Sequence, residues 1–488
     1  MAKTSAQSEL RIGWAQVDIT PPGPCQVCGQ FFARVSEEVW DQVTATALAL
    51  ESGGEQAVLV SCDLVAIPND LRDAVRQHLR DGADGLDAMK VFLSATHTHT
   101  GPEVRIPDWS AGTTATTLGV ELKAMGGDEY QPLAAERIAG AVRKAWSARA
   151  AGGVAFGMGY AVVGRNRRWV DTAGIATMYG KTDTPLFSHI EGYEDHSLGL
   201  LAAFDPAGKL TGLVVNVPSS SQVSEHEFAI SADYWHETRQ ELRRRFGKDL
   251  FILPQCSAAG DQSPHLIYDK RAAQRMLDLK GRSVRQEIAQ RIANAVEEIL
   301  PFVAATVDRA PLFAHHVETI DLPRNALTQA DVDAALAEAG NLRLRYEEEM
   351  RKLQADPSLK NQPRWYKAPT DFHRRMKWQQ AVATRFEQQK TQPNMPVEFH
   401  VLRLGDLAVA TNPFEYYLDF GVFIKARSPA VQTLLVQLAG GGSYCPSRRS
   451  LAGGGYGSLP ASNPIGPEGG RKLAERTVEV LLALWPQT

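Results

Sequence analysis

The chain has 488 residues, of which 44% are hydrophobic and 22% charged, and its formal net charge is −4. This length and composition are typical of a globular protein with one large domain or two to three average ones. The slight negative charge, without a basic block, argues against nucleic acid or an anionic membrane surface as a partner.

No apolar run approaches the roughly 18 residues that a membrane-spanning helix needs, and residues 1–9 lack the apolar centre of a signal peptide. We therefore expect no transmembrane segment and a cytoplasmic location, or a secreted one if a signal has been trimmed. The chain has only five cysteines, and an odd number cannot pair completely, so a disulfide framework is not expected. Cys25 and Cys28 form a lone CxxC, for which we expect neither a redox nor a metal role.

The first part of the chain predicts strands at 11–19, 43–50 and 57–61, with Asp63 at a strand end, and a short helix at 69–79. A buried strand ending at Leu93 then runs into a polar segment, Thr96-His97-Thr98-His99-Thr100, before the turn at Gly101-Pro102. In an extended backbone His97 and His99 share one face. Such a pair suits a metal ion, or one metal ligand beside one proton carrier. The alternative is two polar loop histidines, and the site interpretation requires ligands from elsewhere in the chain.

The middle of the chain predicts a helix behind Pro132, a strand at 154–160 and the cluster Arg165, Arg167 and Arg168. These arginines fit either a solvated edge or a clamp for an anion. A strand at 212–217, a helix capped by Asp233 and a strand at 250–253 follow. This alternation predicts an α/β layered fold with a mixed sheet. Ser263 is not in a G-x-S-x-G elbow, which argues against the triad of the α/β-hydrolases.

The last part opens with an amphipathic helix at 284–299 and continues with a charged, helical segment at about 325–395, interrupted by Pro357, Pro363 and Pro369. We interpret this segment as a helical insertion or lid. Strands at 397–404 and 407–411 precede a Gly-rich segment in two similar halves, which presents Tyr444 and Tyr456. Without a following Gly-Lys-Ser/Thr it is no phosphate loop, and no larger internal repeat is visible.

Together these loops resemble the catalytic N-terminal domain of the neutral/alkaline, non-lysosomal ceramidase family. The resemblance covers most of the chain and is most specific at His97-Thr98-His99-Thr100-Gly101-Pro102. The other matching segments are Val17-Asp18-Ile19-Thr20, Asn166-Arg167, Ile230-Ser231-Ala232-Asp233, Gly260-Asp261-Gln262-Ser263-Pro264, Glu415, and the tyrosines 444 and 456.

The resemblance implies a zinc-dependent amidohydrolase that cleaves the N-acyl bond of ceramide, with one Zn²⁺ per chain. It makes His97, Glu415 and Tyr444 metal ligands and places His99 close to the activated water. It also implies that Arg167 and Tyr456 contact the reacting amide and that Ser263 lies in the pocket.

One expected ligand is missing, because the family's further zinc-binding histidine aligns with Ser219. We expect His226, or alternatively His265, to complete the set. We also expect no C-terminal β-sandwich and no export signal in this chain, and both departures weaken ceramide as the substrate.

The sequence thus predicts a single domain over residues 1–488, an α/β fold with a mixed β-sheet core flanked by helices and a helical insertion. The expected function is that of a ceramidase-like zinc hydrolase acting on a small-molecule or lipid substrate. One alternative keeps the scaffold but acts on a smaller polar substrate, such as a sugar derivative, by hydrolysis or elimination. Another is a binding protein whose metal site has decayed.

Overall fold

The structure is a computed structural model that describes residues 8–80, 82, 85–105 and 114–486. Most of the N-terminal segment for which the sequence predicts no export signal lies outside the described residues. Within them, no helix is both long and apolar enough to cross a lipid bilayer.

Three sheets of five, four and four strands form the body of the fold, and all three are built in the same chain order. Three antiparallel strands are followed by a helix, then by a fourth strand parallel to the third, and then by a second helix. A parallel neighbour requires a long crossover connection, which the first helix supplies in each sheet.

The first unit comprises β1 (Arg11–Asp18), β2 (Thr44–Ser52), β3 (Glu55–Cys62), α1 (Asn69–Arg80), β4 (Val91–Ala95) and α2 (Gly127–Ser147). The second comprises β5 (Gly153–Tyr160), β6 (Ser197–Phe204), β7 (Leu210–Val217), α3 (Tyr234–Phe246), β8 (Phe251–Cys256) and α4 (Val284–Val303). The third comprises β9 (Phe313–Pro323), α5 (Gln329–Ala355), α6 (Lys367–Thr391), β10 (Asn394–Leu404), β11 (Leu407–Thr411), α7 (Leu418–Arg427), β12 (Gln432–Val436) and α8 (Pro467–Leu484).

The short strands are Glu38–Val39, Ala150–Ala151, Arg165–Asn166, Arg168–Asp171, Ala176–Met178, Phe187–Ile190, Ala229–Ile230, Gln262–Ser263, Glu415–Tyr416 and Tyr444–Cys445. The short helices and 3-10 turns are Ala88–Lys90, Thr114–Leu118, Lys270–Lys280, Ala304–Thr306, Pro357–Asn361 and Arg448–Gly453.

The sequence of the first unit explains its β2–β3 hairpin turn and the burial of both faces of its sheet. Gly53 and Gly54 have φ of +59° and +86°, which is the backbone that a two-residue hairpin needs and that glycine adopts without strain. The β3 residues 57–62 are all buried, because helices cover one face of the sheet and other sheets cover the opposite face.

The three sheets bury their inner faces in one shared apolar cluster. Its members come from strands of every unit and include Leu10, Trp14, Leu48, Leu59, Phe92, Val154, Leu201, Val214, Leu253, Leu402, Val409 and Val436. The outer face of each sheet packs on its own two helices through a separate cluster. The expected mixed α/β architecture is confirmed, but its core is shared by three sheets.

The fold repeats one element order three times, although the sequence shows no larger internal repeat. The three units share their element order, although each fills its own core with different residues. A topological repeat needs only the hydrophobic pattern of strands and helices, which many sequences satisfy.

The charged segment at 325–395 forms α5 and α6, which pack on each other. In chain order they come between β9 and β10, two strands that pair with each other. Pro357 and Pro363 fall between the two helices, as expected. Pro369 does not interrupt α6, because it stands in the first helical turn, where no backbone donor is lost. Helix α2 likewise begins at Gly127, five residues before Pro132, which the helix contains.

Asp63 links the first two units. Its carboxylate is fully buried, and both Arg239 Nη atoms of α3 donate to it at 2.9 Å. The backbone and hydroxyl of Thr44 donate to the same carboxylate at 2.8 and 3.0 Å. Asp63 therefore joins α3 to the first sheet, whereas the sequence favoured a turn cap or a partner for an imidazole.

Replacing Arg239 with leucine should destabilise the protein strongly, because it leaves the Asp63 carboxylate buried without its cation. Removing one partner of a buried ion pair typically costs about 3–5 kcal/mol in the free energy of unfolding. Chemical denaturation measures the loss. Arg244→Leu on the same helix is the control, since the Arg244 side chain is 68% exposed and its removal should change the midpoint little. Equal effects of both variants would contradict this account.

Candidate active site

The two histidines of the Thr-His-Thr-His-Thr segment lie together, but an extended strand does not place them there. Strand β4 ends at Ala95, and His97 has a left-handed backbone with φ of +60°. Its Nδ1 lies 2.6 Å from the carbonyl of Val65, and its Nε2 lies 3.3 Å from His99 Nε2. Both imidazoles are buried.

The threonines of this segment hold it against the second unit. The hydroxyls of Thr98 and Thr100 both donate to the carbonyl of Ser231, at 2.9 and 3.0 Å. The Ser221 hydroxyl donates to the carbonyl of Thr96 at 2.8 Å. These contacts explain why the Ile230-Ser231-Ala232-Asp233 segment accompanies the histidines: it fixes the loop that presents them.

The third unit supplies Glu415 and Tyr444. Their two-residue strands pair in parallel, and Glu415 Oε2 lies 3.3 Å from His97 Nε2. Burial opposes ionisation of Glu415, but His97, Arg167 and the hydrogen-bonded Tyr444 hydroxyl together hold the pKa of this carboxyl below its ordinary value. Gly260 allows this approach, because a Cβ there would collide with the Glu415 carbonyl.

Arg167 lies behind Glu415 and Tyr444 and is 1% exposed. Its Nη2 donates to Gly260 O at 2.8 Å, to Tyr444 Oη at 3.2 Å and to Glu415 Oε2 at 3.4 Å. Burial alone would lower its pKa, but the tyrosines and Glu415 around it raise the pKa well above the ordinary value. The guanidinium therefore stays charged and holds the two acidic side chains in place.

A cavity of about 1050 Å³ opens over these groups. Among the residues named from the sequence, His97, His99, Glu415, Tyr444 and Tyr456 line it. The two tyrosines come from the two Gly-rich halves, and their rings lie 5.4 Å apart. The cavity wall confirms the expectation that this segment presents both tyrosines to one place.

Ser263, His226 and His265 do not line the cavity. The Ser263 hydroxyl accepts from the backbone of His265 at 3.2 Å and contacts Tyr179. The His226 side chain is 73% exposed, and its Nε2 lies 3.7 Å from Glu225. The structure therefore does not bring His226 to the other predicted ligands, because its loop turns the imidazole outward.

The same loop contributes two residues that the sequence analysis missed. Gln222 Nε2 lies 2.9 Å from His99 Nε2, and Glu225 Oε2 lies 3.6 Å from His99 Nδ1. Ser219, aligned with the family's histidine, directs its hydroxyl to the carbonyl of Ser220. The sequence signal was the departure of the 218–222 loop from the family pattern, which directed attention to this loop without identifying Gln222 or Glu225.

His99 is held neutral by its surroundings. Burial, and then the positive charges of His97, Arg34 and Arg167, lower its pKa well below the ordinary value. Gly29 packs on the ring with φ of +107°, and a Cβ at that position would overlap the imidazole. A neutral imidazole at a cavity wall can accept a proton, although the lowered pKa makes it a weaker base.

The second half of the cavity wall comes from α6 and its surroundings. Trp378 of α6 packs on Phe31 and Tyr456, with ring centroids 5.2 and 5.9 Å apart. Arg374 of α6 and Arg105 both contact Glu103, at 3.4 and 2.9 Å. This wall is therefore aromatic on one side and charged on the other.

The five cysteines are free thiols. Burial raises the pKa of Cys25 to about 11 and that of Cys28 to about 12. Both therefore stay protonated near neutral pH, which argues against redox or ligand chemistry at the CxxC.

Within the residues that the structure describes, no group of three or more His, Cys, Asp and Glu side chains is arranged to hold a metal ion. A ligand set at the floor of the cavity must therefore include another residue type, and the Tyr444 phenol beside His97 and Glu415 is such a group.

The solved structures that resemble this one include a ceramidase complexed with C2, at 16% sequence identity, and neutral ceramidase from Pseudomonas aeruginosa, at 17%. Both have a TM-score of 0.66, and each match covers 98% of this chain and 75% of the other. No family model and no curated protein sequence matches the chain. The resemblance to neutral ceramidases is thus confirmed at the level of the fold.

Asp261 should make stability depend on pH. It is fully buried, accepts from Leu418 N at 3.0 Å, and burial raises its pKa from 3.8 to about 6. Because the folded-state pKa is the higher one, its contribution to stability is complete below pH 3.8 and is lost as the pH rises through 6. The shift corresponds to roughly 3 kcal/mol.

Comparison with Asp261→Asn, which keeps an acceptor for Leu418 but does not titrate, tests this prediction. The stability of the wild type relative to the variant should fall between pH 4 and 7 and be constant above about pH 7. Urea unfolding at each pH gives the difference. A difference independent of pH would show that Asp261 is ionised throughout this range in the folded state.

Proposed function

We propose that this protein is a zinc-dependent hydrolase that cleaves an N-acyl (amide) bond. The observation that carries the proposal is the contact of His97 Nε2 with Glu415 Oε2 at 3.3 Å at the floor of a cavity that Tyr444 also lines. The ceramidase-like fold supports the same class of reaction.

The hydrogen bonds of the histidines favour a cation between these side chains. His97 Nδ1 faces the Val65 carbonyl at 2.6 Å, so the proton of a neutral ring sits on Nδ1 and leaves Nε2 bare. Such a bond to the distal ring nitrogen is typical of metal-bound histidines. Nε2 faces the Glu415 carboxylate at 3.3 Å. A proton on Nε2 makes this contact favourable and lowers the pKa of Glu415; beside a neutral ring, a metal ion would take the place of that proton.

His97, Glu415 and Tyr444 would hold the metal, and their nitrogen and oxygen donors suit zinc. When bound, zinc with an open position supplies Lewis acidity and lowers the pKa of a coordinated water from 15.7 towards about 7. His226 is not proposed as a ligand, because its imidazole points away from the cavity.

The side chains around this position have separate roles in the proposed reaction. His99, neutral and buried, accepts a proton and passes it to the leaving amine. The Tyr456 side chain is 38% exposed and lines the cavity. It is placed to donate a hydrogen bond to the developing oxyanion, since a phenol stays protonated near neutral pH. Arg167 acts from behind by holding Glu415 and Tyr444.

A second candidate keeps this chemistry but takes a smaller, polar substrate such as a sugar derivative. It is favoured by the charged part of the cavity wall, which Glu103, Arg105 and Arg374 form. The side chains of Arg105 and Arg374 are partly exposed to water, which an apolar chain packed on them would remove. A binding protein with a decayed metal site is the third hypothesis, and metal content distinguishes it from both enzymes.

His97→Ala should abolish zinc binding, because it removes the nitrogen donor from the proposed ligand set. Elemental analysis of the purified full-length protein gives the zinc content per chain. His226→Ala is the matched control, since this exposed imidazole from a site loop should not affect the metal. Unchanged zinc in His97→Ala, or loss of zinc in His226→Ala, would show that the ligands are misassigned.

His99→Ala should lower kcat by roughly 10²–10⁴-fold, the usual contribution of general acid–base catalysis. Zinc content and the thermal unfolding midpoint should stay close to those of the wild type, because the variant removes a proton carrier and no ligand. A kcat within a few-fold of the wild type would exclude His99 from proton transfer.

Short N-acyl amides and polar glycosides should be turned over faster than long-chain N-acyl sphingosine. The charged wall formed by Glu103, Arg105 and Arg374 disfavours an acyl chain. Steady-state kcat/KM values for the three substrates provide the comparison. If long-chain N-acyl sphingosine is the best of them, the polar-substrate hypothesis is wrong and the amide-cleaving one is strengthened.

A further inference from the structure

We propose that the cavity selects an anionic substrate, whose carboxylate or phosphate group binds Arg374. This guanidinium belongs to α6 and lines the same cavity as His97 and Glu415. The inference deepens the proposed function, because it names the substrate class of that site. The anion subsite itself stands on the contacts below, and only its catalytic consequence rests on the proposed hydrolysis.

One face of α6 forms part of the cavity wall. Arg374, Trp378 and Ala381 all line it, and their spacing of four and three residues places them on the same side of a helix. The Trp378 ring packs on Tyr456 with centroids 5.9 Å apart, and Tyr456 packs on Tyr444 at 5.4 Å. Arg374 therefore belongs to a wall that continues to the proposed catalytic groups.

Arg374 has no carboxylate of its own in the described part of the chain. Its acidic neighbour there, Glu103, already receives two hydrogen bonds from the Arg105 guanidinium, each at 2.9 Å, and one from the Arg105 backbone at 3.0 Å. Arg374 reaches Glu103 only at 3.4 Å and the Gln30 carbonyl at 3.3 Å. Because a guanidinium has five N–H donors, Arg374 retains donors for a further acceptor.

The charges of these three side chains do not cancel. Burial alone would raise the pKa of Glu103, but Arg105, and then Arg374, lower it to about 2. One ionised carboxylate thus contacts two guanidiniums, which leaves one positive charge in excess. The Arg374 side chain is 21% exposed, so this charge can reach a ligand in the cavity.

The acidic residues elsewhere in the wall have counter-groups of their own. Glu129 accepts from the backbone of the α2 N-cap at 3.1 Å and, like Asp128, lies in the first turn of α2, where the helix dipole favours negative charge. Glu121 is followed two residues later by Lys123, and both are exposed. Arg374 is therefore the cation of the described wall that is best placed to bind an anion from outside.

The chemistry of the guanidinium defines the ligand. Its planar fork matches two oxygens of a carboxylate or a phosphate, which it binds in a bidentate manner. The Trp378 ring, one helical turn further along α6, suits an apolar part of the same ligand. An N-acylated amino acid or an N-acylated aminoalkyl phosphate combines such an anion with the amide that the proposed reaction cleaves.

Three small amides that differ in charge test the subsite on the full-length protein. They are N-acetyl-β-alanine, its neutral carboxamide and N-acetyl-O-phosphoethanolamine. Calorimetry gives the Kd of each, and steady-state hydrolysis gives kcat/KM. At least one acid should bind roughly 10- to 100-fold more tightly than the neutral amide, as expected for hydrogen bonds between charged groups. The order of the two acids identifies carboxylate or phosphate as the group that is recognised.

Variants of Arg374 assign the preference to this side chain. Arg374→Gln should remove it and leave the affinity for the neutral amide within a few-fold. Arg374→Lys keeps the charge without the fork and should restore part of the preference. Lys390→Gln is the matched control, because it removes a positive charge from the same helix about 24 Å away. Zinc content and the thermal unfolding midpoint should stay close to those of the wild type in all three variants.

Equal affinity of the wild type for the acids and the neutral amide, including the case that none of them binds, overturns the inference. An acid preference that survives Arg374→Gln also overturns it, since the anion then binds elsewhere. A protein that contains no zinc and cleaves none of the three amides, but binds an acid through Arg374, would refute the proposed function and leave the subsite intact. Cleavage of all three with equal kcat/KM would do the reverse.

Discussion

Burial of three sheet faces in one apolar core is the constraint on which the arrangement of the site depends. In each unit the third and fourth strands are parallel, so their carboxyl ends leave the sheet at the same edge, as in other open α/β sheets. The loops that follow these ends carry Val65, His97 and His99 in the first unit, Gln222 and Gly260 in the second, and Glu415 and Tyr444 in the third. No unit contains a complete site, and only the common core brings the three sets of loops together.

These loops are polar and buried, which requires that each group have a partner. An unpaired buried polar group costs free energy comparable to a lost hydrogen bond. The hydroxyls of Thr98 and Thr100 and the carboxylate of Asp63 are paired with residues of the second unit. The left-handed backbone of His97, which costs on the order of 1–3 kcal/mol, is maintained by these contacts and by the bond to Val65.

The hydrogen-bond acceptors of the candidate site are in contact with buried arginines. Glu415 Oε2 and His99 Nε2 each lie 3.3 Å from His97 Nε2, while Arg167 contacts Glu415 and Arg34 contacts the His99 backbone. His97 and Arg167 hold the pKa of Glu415 below its ordinary value despite burial, whereas burial, and then the neighbouring cations, lower the pKa of His99. An ionised carboxylate beside a neutral imidazole is the combination that the proposed metal-assisted hydrolysis would use. Residues of α6 complete the cavity wall around it.

The sequence by itself determined the main strands and helices, because the hydrophobic periodicity of 11–18, 210–217 or 284–303 is local and unambiguous. It also determined which segments carry the chemistry, since Thr-His-Thr-His-Thr-Gly-Pro and the paired Gly-rich halves are unusual in composition. Tertiary structure alone decided the rest. The extended-strand argument for His97 and His99 gave the right neighbours for the wrong reason, as the strand stops at Ala95. The sequence could not show that Gln222, and not His226, turns into the site. Which side chain of a loop points inward depends on contacts with Arg167 and His99, and both residues are distant from this loop in the chain. The threefold topology was also invisible, since packing constrains hydrophobic pattern and volume and leaves residue identity free.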